Sequence, residues 1–228
     1  MMKKLGLPAL AVALIAGLGL WAAQTPSTPG QSLLPGLTAE AQEQDAPAST
    51  AELPAVPDMV LGQADAPVTI IEYASYTCPH CARFHAEVFK DLKRDYIDTG
   101  KVKFILREVY FDRYGLWAAM MARCGGETRY FGISGMLFEG QKEWSASDDP
   151  TTVVNNLRRI GRTAGMDDAT LDACMQDSNM AQAMLNTWEA NAKTDQVEGT
   201  PTLIINGVKS GNVSYDELKA LIDAELAK

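Results

Sequence analysis

Two cysteines three positions apart, Cys78-Pro79-His80-Cys81, follow the apolar run Val68-Thr69-Ile70-Ile71-Glu72-Tyr73 and precede an amphipathic stretch. The spacing puts a dithiol at the junction of a strand and a helix. With a helix opening here, Cys78 falls at or near the N-cap. Pro79 takes the first helical position, where its missing N–H costs nothing, and Cys81 lies one turn below. Both sulfurs then share a face within disulfide reach. Unpaired amides and the positive end of the helix dipole favour an anion at Cys78, so its thiol is expected to ionise more readily than a free cysteine. His80 adds a donor or a positive charge that would stabilise the thiolate further. Each unit by which the pKa falls corresponds to about 1.4 kcal/mol favouring the ionised, reduced form, which makes the disulfide form the stronger oxidant.

Other uses of such a motif fit less well. A zinc site would need a second Cys or His pair, and Cys124 and Cys174 stand far apart and alone. Covalent haem attachment needs His directly after the second cysteine, where this chain has Ala82. A cysteine hydrolase needs a base with an orienting group, and the chain holds two histidines, His80 and His85. His85, four residues past Cys81, reads as a solvated helix histidine that at most lines the same face. No metal and no bound cofactor are expected.

Lys3 and Lys4 precede an uncharged, mostly apolar run from Leu5 to Ala23, the pattern of an export signal. The run is long for a cleaved signal and close to the roughly 20 residues that span a bilayer, so residues 1–23 are either a signal peptide or an uncleaved anchor. Residues 24–57, rich in Pro, Gln, Ser, Thr, Ala and Glu, read as a disordered linker. Residues 58–228 fit one domain with an ample core. Every acidic residue follows residue 23 while two lysines precede it, so the exported part is more acidic than the whole chain's −9. No basic patch for nucleic acid is visible.

Along the domain, the strand at 68–73 leads into a helix from about Pro79 to Tyr96, with Phe84, Val88, Leu92 and Tyr96 at four-residue steps. After a turn at Gly100, Val102 to Val109 reads as a second strand, parallel to the first. Near the end, Thr202-Leu203-Ile204-Ile205 is a short buried strand, Asn206-Gly207 a hairpin turn, and Ser214 to Glu217 a capping box. The capping box opens a helix with Leu218, Leu221, Ile222 and Leu226 on one face. Between the halves, about 114–196 is mainly helical. Asp149-Pro150 starts one helix; Gly161, Gly165 and Asp167-Asp168 punctuate two more; a long one runs from Ser178 to about Asp195 with Met180, Met184, Leu185 and Trp188 inward.

The expected class is α/β. A βαβ half carrying C-x-x-C, a helical insertion and a ββα half resemble the thioredoxin fold, and Cys78-Pro79-His80-Cys81 narrows the resemblance to the DsbA-like disulfide oxidoreductases of bacterial envelopes. Glu72 six residues before the motif and Thr200-Pro201 ahead of the third strand belong to the same pattern. The resemblance implies that Cys78 is the exposed nucleophile and Cys81 the buried resolving cysteine, with His80 stabilising the thiolate. It also implies that Pro201 is a cis proline facing them, with Thr200 shaping substrate contact. The implied activity is the introduction of disulfides into exported proteins with free thiols, in the periplasm, either free after signal cleavage or tethered through residues 5–23. It further implies reoxidation by a membrane partner similar to DsbB. A monomer is expected. Pro-His within the motif resembles oxidases, whereas Thr before the cis proline resembles isomerases and reductases, so that direction stays open. A non-redox peptide-binding chaperone is the alternative from another class.

Glu72 also has an argument of its own, because a parallel strand covered on both faces should be nearly all apolar. Its carboxylate either escapes at the strand end or lies under the dithiol, where it would exchange a proton with Cys81. Cys124 and Cys174 are most simply a structural disulfide in an oxidising compartment, closing a loop worth roughly 4 kcal/mol in the chain-entropy model; two buried free thiols are the other reading. Met120, Met121, Met136 and Met166 read as core residues, with an adaptable peptide groove as the alternative.

Overall fold

The computed structural model describes residues 52–228. The signal or anchor expected over 1–23, and the linker expected from residue 24 as far as residue 51, lie outside the described residues. Within them, five strands form one mixed sheet: β1 (Met59–Leu61), β2 (Val68–Ala74), β3 (Val102–Glu108), β4 (Thr202–Ile205) and β5 (Val208–Ser210), in the spatial order β1-β3-β2-β4-β5. β2 and β3 are parallel, as a helical crossover between them requires, and the other three pairings are antiparallel. Strand β2 is therefore central, and its Glu72 stands opposite Leu106 on one side and Leu203 on the other. Val68, Ile70, Glu72 and Ala74 alternate onto one buried face. The opposite face carries Tyr73, packed with Val109, Ile204 and Trp188.

The crossover is one run of helix built from α1 (Pro79–Phe84), a π segment (His85–Phe89), α2 (Lys90–Leu92) and a second π segment (Lys93–Ile97). Phe84, Val88, Leu92 and Tyr96 are all buried along it. A strict four-residue step runs ahead of a 3.6-residue turn, and widening two turns to the π form keeps this stripe aimed at the sheet.

Six helices follow before the chain returns to the sheet: α3 (Arg113–Cys124), α4 (Glu127–Glu139), α5 (Gln141–Trp144), α6 (Pro150–Thr163), α7 (Asp168–Met175) and α8 (Ser178–Thr194). Asp112, Asp149, Asp167 and Asp177 cap four of them by accepting hydrogen bonds from first-turn amides. Met120, Met121 and Met166 are buried in the core. Gly165, at φ +82°, ends α6 as expected, but Gly161 does not punctuate anything. It lies inside α6, where an added Cβ would stand 2.6 Å from Leu171 Cδ2, so glycine there permits close packing of α7. Cys124 at the end of α3 and Cys174 in α7 are joined by a disulfide with a Cα separation of 5.8 Å.

Asn206 and Gly207 both take positive φ, 46° and 85°, and close the β4–β5 hairpin. The Ser214–Glu217 capping box opens α9 (Tyr215–Leu226). Leu218 and Ile222 are buried and Leu226 packs at the margin, but Leu221 is 41% exposed, contrary to the one-face expectation. The narrow contact of α9 is filled by the four-residue steps 218, 222 and 226, which leaves 221 to the side. β1 has no forecast, being a three-residue edge strand too short to show alternation. The chain also joins the domain before the expected start at 58: Val56 packs on the core and the Pro57 carbonyl accepts from Arg123 Nη1 at 3.0 Å. None of the described helices is long and apolar enough to cross a membrane.

Candidate active site

Cys78 is the N-cap of α1, with extended backbone (φ −83°, ψ 118°), and Pro79 occupies the first helical turn. Its carbonyl accepts from the Ala82 amide at 3.2 Å, so the side chain is left free at the helix mouth. Cys78 is half-buried, Cys81 is fully buried, and both are free thiols. Opposite them, the Thr200–Pro201 peptide bond is cis. In its thiol form Cys78 Sγ donates to the Thr200 carbonyl at 3.5 Å, which places the dithiol directly against the segment leading into β4.

The two sulfurs are electrostatically unequal. A hydrogen bond from the Cys81 thiol, helped by Thr200 and by the backbone amides of Cys81 and His80, brings the Cys78 pKa from the ordinary 9.0 down to about 5, against the opposing effect of partial burial. Donating that bond, burial and the nearby Glu72 charge all push the Cys81 thiol far up. Thr200 Oγ1 is buried without an aligned hydrogen-bond partner, yet lies near enough to both sulfurs to favour their ionised forms. His80 reaches Cys78 through its backbone N–H, and its residue as a whole is exposed.

The loop before the motif is pinned from the helical insert. Gln141 Nε2 donates to both the Tyr76 and Cys78 carbonyls, at 2.7 and 2.9 Å, and is itself buried. Thr77 Oγ1 donates to Asp112 Oδ2 at 2.6 Å, tying the loop to the cap of α3. Below it, Tyr76 bonds Ser134 and Tyr130, Tyr130 donates to Glu108 at 2.6 Å, and Arg123 holds Glu108 through two nitrogens.

Glu72 is fully buried, so its carboxylate does not escape at the strand end. Its Oε2 lies 2.9 Å from His85 Nε2, and Oε1 has no partner. His85 is not the solvated helix histidine expected from its position. It is 8% exposed, opens the first π segment and stacks on Phe138 with ring centres 3.9 Å apart. The expectation failed because the group that draws the imidazole inward comes from another element, β2.

A thioredoxin family model matches residues 55–224. Alpha-DsbA1 of Wolbachia pipientis is 30% identical in sequence, with a TM-score of 0.69 over 75% of this chain and 92% of that one. The chain belongs to the thioredoxin family, in its DsbA-like branch. A putative protein-disulfide oxidoreductase of Rickettsia conorii is 33% identical over 74% of this chain, and the match spans 60% of that relative's length. Disulfide bond formation protein D of Bacillus subtilis is 29% identical over 73% of this chain and 76% of its own.

In this DsbA-like chain, Cys78, Cys81, Thr200, Pro201 and Glu72 converge from three separate stretches of sequence, and the Cys124–Cys174 bridge belongs to the helical insert. Gln141, Asp112 and the His85–Glu72 contact escaped the sequence reading. Gln141 carries no local signal, since an amide on a four-residue helix looks like surface. Glu108 did carry one: like Glu72 within β2, it is a carboxylate in a strand of the parallel pair, here the last residue of β3.

Proposed function

We propose that this chain is a thiol:disulfide oxidoreductase that introduces disulfides into exported proteins through Cys78 and Cys81. The observation that carries the reading is the asymmetry of the pair: an accessible sulfur held as thiolate at the helix mouth, one turn from a buried sulfur held as thiol. A thiolate stabilised in the reduced state makes the disulfide state an oxidant. A substrate thiolate attacks Cys78 Sγ; the Cys78–Cys81 bond breaks and its electron pair goes to Cys81, which takes a proton from Glu72. The second substrate thiolate then attacks the substrate sulfur of the mixed disulfide, and Cys78 leaves as the thiolate. The products are a substrate disulfide and reduced enzyme. Pro201 and the Thr200 backbone, set against Cys78, are assigned the contact with an extended substrate segment. Reoxidation is assigned to a membrane protein similar to DsbB that passes the electrons on to quinone, and the site of action to the periplasm.

Thr200 before the cis proline favours a second reading, isomerase or reductase. Equilibrating the full chain in glutathione buffers separates the two: an oxidase gives a strongly oxidising potential, and a value near that of thioredoxin, about −270 mV, overturns the oxidase reading. Cys78→Ser abolishes oxidation of a reduced substrate; a wild type that oxidises nothing and binds unfolded peptide no better than Cys78→Ser does would leave a peptide-binding chaperone.

A further inference from the structure

The proton that Glu72 gives to Cys81 has to be replaced, and Glu72 itself has no access to water. It is fully buried on the central strand, and its one hydrogen-bond partner among the described residues is His85 Nε2. His85 sits where the buried carboxylate meets the outside: with Pro79, Ala82, Phe138 and Gln141 it lines a cleft of ≈ 480 Å³ beside the opening of α1. The other charged groups around that cleft are Arg83, Glu87 and Lys90 from the crossover helix, Glu139 from α4 and Lys142 from α5. Phe138 holds the imidazole by stacking, so the ring is fixed in orientation while one edge meets Glu72.

We propose that His85 is a positioning residue that links Glu72 to solvent in this cleft, carrying one proton inward when the Cys78–Cys81 bond opens and one outward when it closes. The inference rests on the oxidoreductase reading. On opening, the electron pair of the broken S–S bond goes to Cys81, which takes the Glu72 proton. Water protonates the free Nδ1 of the neutral imidazole while its Nε2 proton passes to the Glu72 carboxylate, which leaves the Nδ1–H tautomer. On reoxidation each transfer reverses. No electron passes through His85. An imidazole suits this task because it accepts at one nitrogen and donates from the other.

The test is stopped-flow exchange between the oxidised full chain and a dithiol peptide across a range of pH, with wild type, His85→Phe and His85→Ala. His85→Phe keeps the aromatic stack on Phe138 but carries no proton. The expected result is a rate lower by about tenfold or more, with loss of a pH–rate inflection present in wild type. His85→Ala is expected to be slow as well and to speed up with added imidazole, which the cleft admits. Should His85→Phe fail to fold, the response of His85→Ala to imidazole decides alone. Wild-type rates and pH profile in both variants would overturn the relay, as would a slowing that imidazole does not relieve and that leaves the profile unchanged. A wild type that exchanges no thiols removes the oxidoreductase reading and this inference with it; active wild type with unaffected His85 variants removes the inference alone.

Discussion

Cys78 and Cys81 are the same residue one helical turn apart, and their surroundings drive them in opposite directions. The direction at Cys78 has a definite pH consequence. A thiol whose pKa falls from 9.0 to about 5 on folding stabilises the reduced fold fully above the unfolded value, and this contribution disappears as pH falls through about 5. On the proposed oxidase reading, the disulfide form should therefore become less oxidising relative to glutathione in acid. His80 contributes to the shift through its backbone N–H. His80→Pro deletes that donor and His80→Ala keeps it, so proline should raise the Cys78 pKa by about one and make the protein less oxidising, while alanine should change both less. Measuring thiolate absorbance and glutathione equilibrium in both variants checks this; equal changes would return the effect to the imidazole ring. The N-cap, its proline and the low-pKa sulfur were legible from four consecutive residues because helix ends are local. The burial of His85 was not, because it depends on Glu72 from a different strand.

Elements that repeat a period over several turns were readable, and those defined by partners were not. The crossover helix, the capping box and the hairpin all follow from spacing within a few residues. β1 exists only because β3 offers it an edge. α4 and α5 hold the motif loop through Tyr130, Ser134 and Gln141, a function with no periodic signature. The junction between β3 and α3 is locked by Glu108 and Arg123, whose side chains are 3% and 10% exposed. Arg123→Met leaves the Glu108 charge buried and unpaired, at a cost of about 3–5 kcal/mol. Denaturant unfolding should show that loss, and the double variant Glu108→Gln with Arg123→Met should recover part of it. A single variant as stable as wild type would mean that the pair carries no structural weight.

At the scale of the molecule, the proposed reactive centre is an assembly of distant pieces: the motif at 78–81, Glu72 on the central strand, Gln141 in the insert and Thr200-Pro201 at the head of β4. The tetrapeptide is legible from its own spacing, Thr200-Pro201 through the family resemblance, and Glu72 because a charge is out of place in a parallel strand. The residues that brace them became visible only with the fold, since their partners lie dozens of positions away. The central claim is that the folded helix mouth, with the Cys81 thiol one turn below and Thr200 set against it, holds Cys78 as a thiolate. Thiolate absorbance of the reduced full chain, titrated with pH in the folded state and again in denaturant, tests it most directly. The account predicts a midpoint at about 5 that returns toward 9 on unfolding. A folded-state midpoint that stays near 9 would contradict it.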